Sequence, residues 1–280
     1  MSDEIQSPDS HRVAIQKVHL TTPDGPLRGQ VQIDTGPMRL ADLVPTAQEL
    51  TSVMGDRAIR RSEKLGFKLS CAAGCGACCR QMVPISPPEA YALADLLDRL
   101  DPIARAGFMG KFEKIEAHLV KLDMVDRLLD PKILSDPAKA LNRTYFALQM
   151  PCPFLRDEMC SIHAERPVAC RDYSVTSPAA WCRDPWTFSV DVIPMPLPLS
   201  VALAKTAAEV TGEPPVLIPL PLVPRWVAEH REWRNSTWPG LELFQKFMAH
   251  AVGPAADKPA ADDDATPAPP GEAAAPTPEV

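Results

Sequence analysis

Eight cysteines, all that the chain contains, fall in two clusters: Cys71, Cys75, Cys78 and Cys79, then Cys152, Cys160, Cys170 and Cys182. A chain that keeps every thiol in two dense groups is built to use them together. In a reducing compartment such groups act as thiolate ligands to metal rather than as disulfides. This constrains the middle of the chain more than its hydrophobic pattern does. Segment 151–183 is rich in proline and turns, and on sequence grounds it is held by ligands or not held at all.

The spacing carries the chemistry. Two residues separate Cys75 from Cys78, which lets both sulfurs converge on one ion, and Gly76 between them lets backbone N–H groups approach sulfur. Zinc takes four such ligands in a tetrahedron at about 2.3 Å. Cys71 can complete one side of a site. Cys78 and Cys79 are neighbours whose side chains are expected to diverge, so either the protein has two metal centres or one of the pair is a bystander. The second group has wider gaps of seven, nine and eleven residues, but it brings the ligand count to eight, enough for two four-coordinate sites. All eight cysteines are therefore candidate metal ligands. Arginine follows cysteine at Arg80, Arg171 and Arg183, where a guanidinium would lower thiol pKa values and offset thiolate charge. Arg171→Ala is accordingly expected to weaken metal retention.

Composition excludes other classes. The net charge of −7 is mostly a tail effect: residues 253–280 hold six acids and one base, leaving about −2 elsewhere. No basic stripe emerges, so no nucleic-acid partner is expected. No window approaches the roughly twenty apolar residues of a membrane helix. The N-terminal MSDEIQSPDSHR lacks the basic start and apolar run of a secretory signal, so a cytoplasmic location is expected.

Along the chain, 12–34 reads as a β-hairpin around a TTPDGP turn, and 39–65 as a helix stopped by Gly66. Ser86-Pro87-Pro88-Glu89 is a capping box opening a helix to about Leu100. Asp101-Pro102 and Asp136-Pro137 open two more, the second ending near Gln149. Helices are expected at 197–211 and 224–251, separated by the extended PPVLIPLPLVP. The five tryptophans (181, 186, 226, 233, 238) read as core anchors of this last third. The Ala/Pro/Asp tail cannot bury enough to order itself. The expected division is thus an N-terminal extension with the hairpin (1–38), a cysteine-cluster domain (39–190), a helical extension (191–252) and a disordered tail (253–280). The fold class is mainly α, an irregular cysteine-rich metal-binding centre packed on helices, with a small N-terminal hairpin.

Cys71-x3-Cys75-Gly76-x-Cys78-Cys79, followed by Pro151-Cys152-Pro153-Phe154-Leu155, Cys160-Ser161-Ile162 and Arg166-Pro167-x2-Cys170-Arg171, resembles the YkgJ-type cysteine-cluster family over about 71–173. The resemblance implies a zinc- or iron-chelating CxxCxxCC domain, in a family for most of whose members no biochemical activity is established. Where the family usually has an aromatic residue, this chain has His163, a possible ninth ligand but more simply a packing or surface replacement. Cys182 lies beyond the best-matched block.

Cys71-x3-Cys75-x2-Cys78 is also the spacing of radical S-adenosylmethionine enzymes, and the family's motif is similar to that of a flagellin lysine methylase. A [4Fe–4S] cluster serving methyl transfer or redox chemistry is therefore the alternative. Against it stand Ala77 in place of the usual aromatic residue, flanks without barrel periodicity, and Cys79 with the second cluster unaccounted for. Six scattered histidines, His118 among them on an exposed face, build no catalytic group, and Asp172 and Tyr173 read as local hydrogen-bonding groups. The expected partner is a metal ion, with no protein partner identifiable. For the clusters to share ions, the helices at 87–150 must fold back antiparallel and bring the sulfurs near 75 and near 160 together.

Overall fold

The computed structural model describes residues 13–23, 25–130 and 137–252. The acidic tail, the N-terminal residues 1–12, Asp24 of the hairpin turn and the Asp136 cap lie outside the described residues. Helix dominates, with small antiparallel strand pairs, as the sequence pattern predicts.

Strands β1 (Val13–Thr22) and β2 (Gly25–Asp34) form the N-terminal hairpin in a register that pairs Val13 with Asp34 and Thr22 with Gly25. Alternation buries Val18, Leu20 and Ile33 on one face. Strand β3 (Pro37–Arg39) leads through a 3-10 turn at Leu40–Leu43 into α1 (Val44–Lys64), and Gly66 takes a left-handed φ of +89° just past its end. Strand β4 (Pro84–Ile85) precedes α2 (Pro87–Asp98), α3 (Pro102–Lys121), α4 (Val125–Leu128) and α5 (Pro137–Ala147). The two-strand turn β5 (Leu155–Arg156) and β6 (Met159–Cys160) and the short α6 (Val168–Asp172) carry the second cysteine group.

Helix α7 (Leu199–Thr211) ends in Gly212, also left-handed. The PPVLIPLPLVP stretch contains β7 (Ile218–Pro219), which pairs with β4, so its extended form has a purpose. The single helix expected at 224–251 is broken instead into α8 (Val223–Glu229), α9 (Arg231–Arg234), β8 (Thr237–Pro239) and α10 (Gly240–Val252). Strand β8 pairs with β3, and Pro239-Gly240 restarts the helix. Non-local pairing with a strand two hundred residues earlier overrides local helical pattern here.

One continuous core runs through these elements, from Val18, Leu20 and Ile33 to Leu43, Met54, Tyr91, Phe112, Phe154, Val168, Leu203 and Phe247. Of the tryptophans, Trp226 is buried and Trp233 and Trp238 pack against this core. Trp181 stacks on Phe188, whereas Trp186 is 44% exposed beneath Arg143 and anchors nothing.

Gly240 is the tightest backbone approach. A Cβ there would lie 1.9 Å from the Asp34 carbonyl oxygen and 2.6 Å from Met38 Sδ, while its N–H donates to the Gly36 carbonyl at 2.8 Å. Backbone cannot step aside as a flexible side chain can. Gly240→Ala is expected to lower unfolding free energy by about 2–4 kcal/mol, read as a shifted urea midpoint; an unchanged midpoint would show that the β3–β8 junction is loose.

Candidate metal centre

The chain between the clusters folds back on itself. The Cys152 N–H donates to the Cys79 carbonyl at 2.7 Å, which closes α2 to α5 into a loop and sets the two cysteine groups side by side.

The first group sits on an irregular loop ending in a 3-10 turn, Ala77–Arg80. It is stitched to the segment after α6: the Ser70 N–H donates to the Val175 carbonyl at 2.9 Å and the Ser70 hydroxyl to the Thr176 carbonyl at 3.0 Å. Gly76 permits a close contact between this loop and the β5–β6 turn. A Cβ there would meet Glu158 Oε2 and Leu155 Cδ1 at 2.8 Å each. Across that contact, Arg80 grips the Glu158 carboxylate with two nitrogens, at 2.6 and 3.1 Å, and also donates to the Gly76 carbonyl. A bidentate pair of this kind has geometric as well as electrostatic value. Asp157 and Glu158 both take left-handed φ, near 50° and 57°, to turn β5 into β6, and the Arg80 clamp offsets the cost of holding Glu158 there.

The motif's apolar residues are anchors for the second group. Phe154 is fully buried against Phe108 and Phe112 of α3, at ring-centre distances of 5.3 and 5.6 Å. Ile162 and Val168 are buried in the same core. Ser161 ties the loop shut, its N–H and hydroxyl both donating to the Phe154 carbonyl. These contacts place Cys152, Cys160 and Cys170 without regular secondary structure.

All eight thiols are free. Burial is the first cause raising the pKa of Cys71, Cys152, Cys160, Cys170 and Cys182, with Cys152 pushed up to about 12. Cys78 is raised chiefly by its neighbour Cys79 and then by burial, so the adjacent thiols face each other rather than diverging as the sequence suggests. Backbone N–H groups act the other way. Those of Phe154, Ile162 and Val175 hold down Cys152, Cys160 and Cys71, favouring thiolate at each.

Mutual electrostatic influence sorts the thiols. Cys71 and Cys75 act on Cys182 and on one another's side of the loop, and Cys182 packs with Cys71, Cys75, Ala77, Val175 and Tyr173 in a small separate cluster. Cys152, Cys160 and Cys170 form the other set, with Cys152 and Cys160 packed on the main core. Cys78 acts on members of both. Among the described residues, no three His, Cys, Asp or Glu side chains are gathered tightly enough to hold an ion as they stand.

Residues 70–186 match the family model CxxCxxCC, described as a "putative zinc- or iron-chelating domain". The match covers both cysteine groups and less than half of the chain. Searches of curated proteins and of solved structures each returned no match. Among the described residues no helix is long and apolar enough to cross a membrane.

The cation that acts on thiols of both cysteine groups is not one of the three that directly follow a cysteine. Arg80 is committed to Glu158, and Arg171 donates to the Arg166 and Ala164 carbonyls and to Ser52 Oγ, while Arg183 is exposed. Arg166 instead lowers the pKa of Cys71, Cys78 and Cys160. Its Nε is buried with no acceptor. Gln48 of α1, donating to the Glu165 and Arg166 carbonyls at 3.1 Å, holds that segment in place. Only the fold reveals this role, because Arg166 lies four residues from the nearest cysteine.

An orphaned guanidinium nitrogen beside thiols fits a site designed for thiolates, and so do the backbone N–H groups turned toward sulfur. The donor set therefore suits zinc or iron. Tyr173 is a hydrogen-bonding partner of Cys182 and of Gln81, as the local reading of Tyr173 anticipates. Asp172 is pushed up to about 7 by burial and by Glu89, and its Oδ1 is buried without a partner. His163 is exposed, its pKa lowered by Arg166.

Arg166→Ala is expected to speed loss of bound metal to a chromogenic chelator by about ten- to a hundredfold, the usual scale for a residue supporting metal ligands. Arg171→Ala is expected to loosen 164–171 with a smaller effect on metal loss. Equal release rates for Arg166→Ala and the parent chain would remove Arg166 from the site.

Proposed function

We propose that the protein is a zinc- or iron-chelating module in which thiolates of the two cysteine groups jointly hold the metal. The Cys152–Cys79 backbone hydrogen bond carries this reading, since it puts both groups in one place despite the seventy residues between them. The free thiols, the N–H groups facing sulfur and the orphaned Arg166 Nε supply the chemistry such a centre needs. When bound, the metal would cross-link segments 70–80 and 151–183, which otherwise rest on a few apolar anchors and turns.

The iron–sulfur alternative keeps one observation in its favour: Cys71, Cys75 and Cys78 are electrostatic neighbours on a single loop. The same loop has Cys182 beside it, a fourth thiol where an S-adenosylmethionine enzyme leaves an iron open. A redox or binding role suits four thiols better than methyl transfer does.

Anaerobic purification followed by metal analysis and a visible spectrum tests the proposal. A colourless chain with stoichiometric zinc, or an iron-loaded chain without sulfide, supports chelation. A brown chain with acid-labile sulfide and a broad band near about 400 nm supports the cluster. A chain that neither arrives with metal nor takes it up would sink both.

A further inference from the structure

We infer that the cavity between α2, α7 and the α8–α9 pair is a second binding site, and that it takes an organic amine with an apolar body. No cysteine lines this cavity, so the inference stands apart from the chelation reading.

The cavity measures about 360 Å³, within the range of about 300–1,000 Å³ usual for small-molecule sites. Its wall is graded from apolar to acidic. The buried members Leu40, Pro87, Tyr91, Ala207 and Trp226 make an apolar floor. The exposed members Glu213, Pro214 and Glu229 mark the mouth. Two carboxylates thus stand at the opening, and no lysine or arginine lines any part of the cavity. Carboxylates over an apolar hollow repel an anion and draw in a cation.

The polar groups of the wall differ in what they have left to offer. The Tyr91 hydroxyl donates to the His230 carbonyl at 2.8 Å and the Thr211 hydroxyl to the Ala207 carbonyl at 2.8 Å, so both donors are spent. His230 stacks on the Trp226 ring at 4.2 Å, with Nδ1 2.9 Å from the Trp226 carbonyl oxygen. A carbonyl oxygen only accepts, so Nδ1 carries the proton and Nε2 of the neutral ring is left as an acceptor. Arg225 answers Glu229 at 3.1 Å, which leaves Glu213 as the carboxylate without an ion pair among the described residues. Gly212, left-handed at φ +76°, and the Glu213 N–H donating to Thr211 Oγ1 at 3.3 Å fix the turn that carries it past the end of α7.

What remains unspent at the mouth is therefore negative charge and acceptor capacity. A protonated amine, with three N–H donors and one positive charge, satisfies both. Its apolar body has the Leu40–Tyr91–Trp226 floor to rest on. Trp233 also lines the cavity, and its Nε1 is buried without an acceptor, an unmet donor that is uncommon in a finished core. Such a wall is built around an occupant.

Isothermal titration and indole N–H spectra of the full chain as purified test this with three probes of one shape: phenethylamine, phenylethanol and phenylacetate. Phenethylamine is expected to bind about tenfold more tightly than phenylethanol, and phenylacetate more weakly than either. The amine is expected to shift the indole resonances of Trp226 and Trp233 and to leave those of Trp181 and Trp186 in place. Glu213→Gln, a change at an exposed side chain, is expected to weaken the amine about two- to fivefold, the scale of one exposed ion pair, and to leave phenylethanol unaffected. Equal binding of the three probes, binding of none, shifts confined to Trp181 or Trp186, or an amine affinity untouched by Glu213→Gln would overturn the assignment. None of these outcomes bears on thiolate chelation.

Discussion

Glu89→Ala is expected to lower the free energy of unfolding by about 3–5 kcal/mol, the largest effect of any side-chain truncation considered for this protein. Glu89 is 1% exposed, and its carboxylate accepts from the Ser86 N–H and hydroxyl, the Ser200 hydroxyl and the Val168 N–H at 2.6–2.8 Å. Those four bonds use the capacity of a carboxylate. They also lie at three helix starts: Glu89 is in the first turn of α2, Val168 opens α6 and Ser200 is in the first turn of α7. A negative charge among three positive helix ends is favoured by each. Removing it leaves buried donors with no acceptor. Glu89→Gln keeps the shape but loses half of the acceptor capacity, so about half the loss is expected. Because α6 carries Cys170, both variants should also bind metal more weakly. A urea midpoint for Glu89→Ala within error of the parent would show that the three helices need no common acceptor.

Metal withdrawal is the second large effect. Stripping the protein with a strong chelator under reducing conditions is expected to raise amide exchange in 70–80 and 151–183 by at least about a hundredfold, equivalent to about 3 kcal/mol of local protection. Coupled binding and folding produces losses of this size or greater in small metal domains. Here Phe154, Ile162 and Val168 remain buried, so the β1–β2 hairpin and the α7–α10 pair should keep their protection. Exchange that is unchanged across both cysteine segments would mean that apolar anchors alone hold them, and a structural role for metal would fall. Exchange that rises everywhere would make the metal the keystone of the whole core.

Much of the fold was legible because its signals are local. The Ser86–Glu89 capping box, the Asp101 cap accepting from Ile103 and Ala104, and Gly66 ending α1 act within one turn of chain. The same reasoning misjudged 224–251, where pairing of β8 with β3 breaks a pattern that reads as helix. It also weighed arginines by their adjacency to cysteine and so favoured Arg171, whose donors go to carbonyls and Ser52. Arg166 was read only as part of the second motif, because its relation to Cys71 and Cys78 spans nearly a hundred residues. Glu89 was recognised as a capping residue, but its bonds to Val168 and Ser200 bridge 79 and 111 residues.

Residue identity alone was enough to read the thiols in two groups, the proline-rich loops that carry them and the apolar Phe154, Ile162 and Val168 that anchor the second group. The placement of those thiols relative to one another was a matter for the folded state. Which sulfur faces which depends on the closure of residue 79 on residue 152 and on separate burial of the Cys182 turn. Ligand type is a property of each side chain, whereas convergence in space depends on long-range packing that no local spacing encodes.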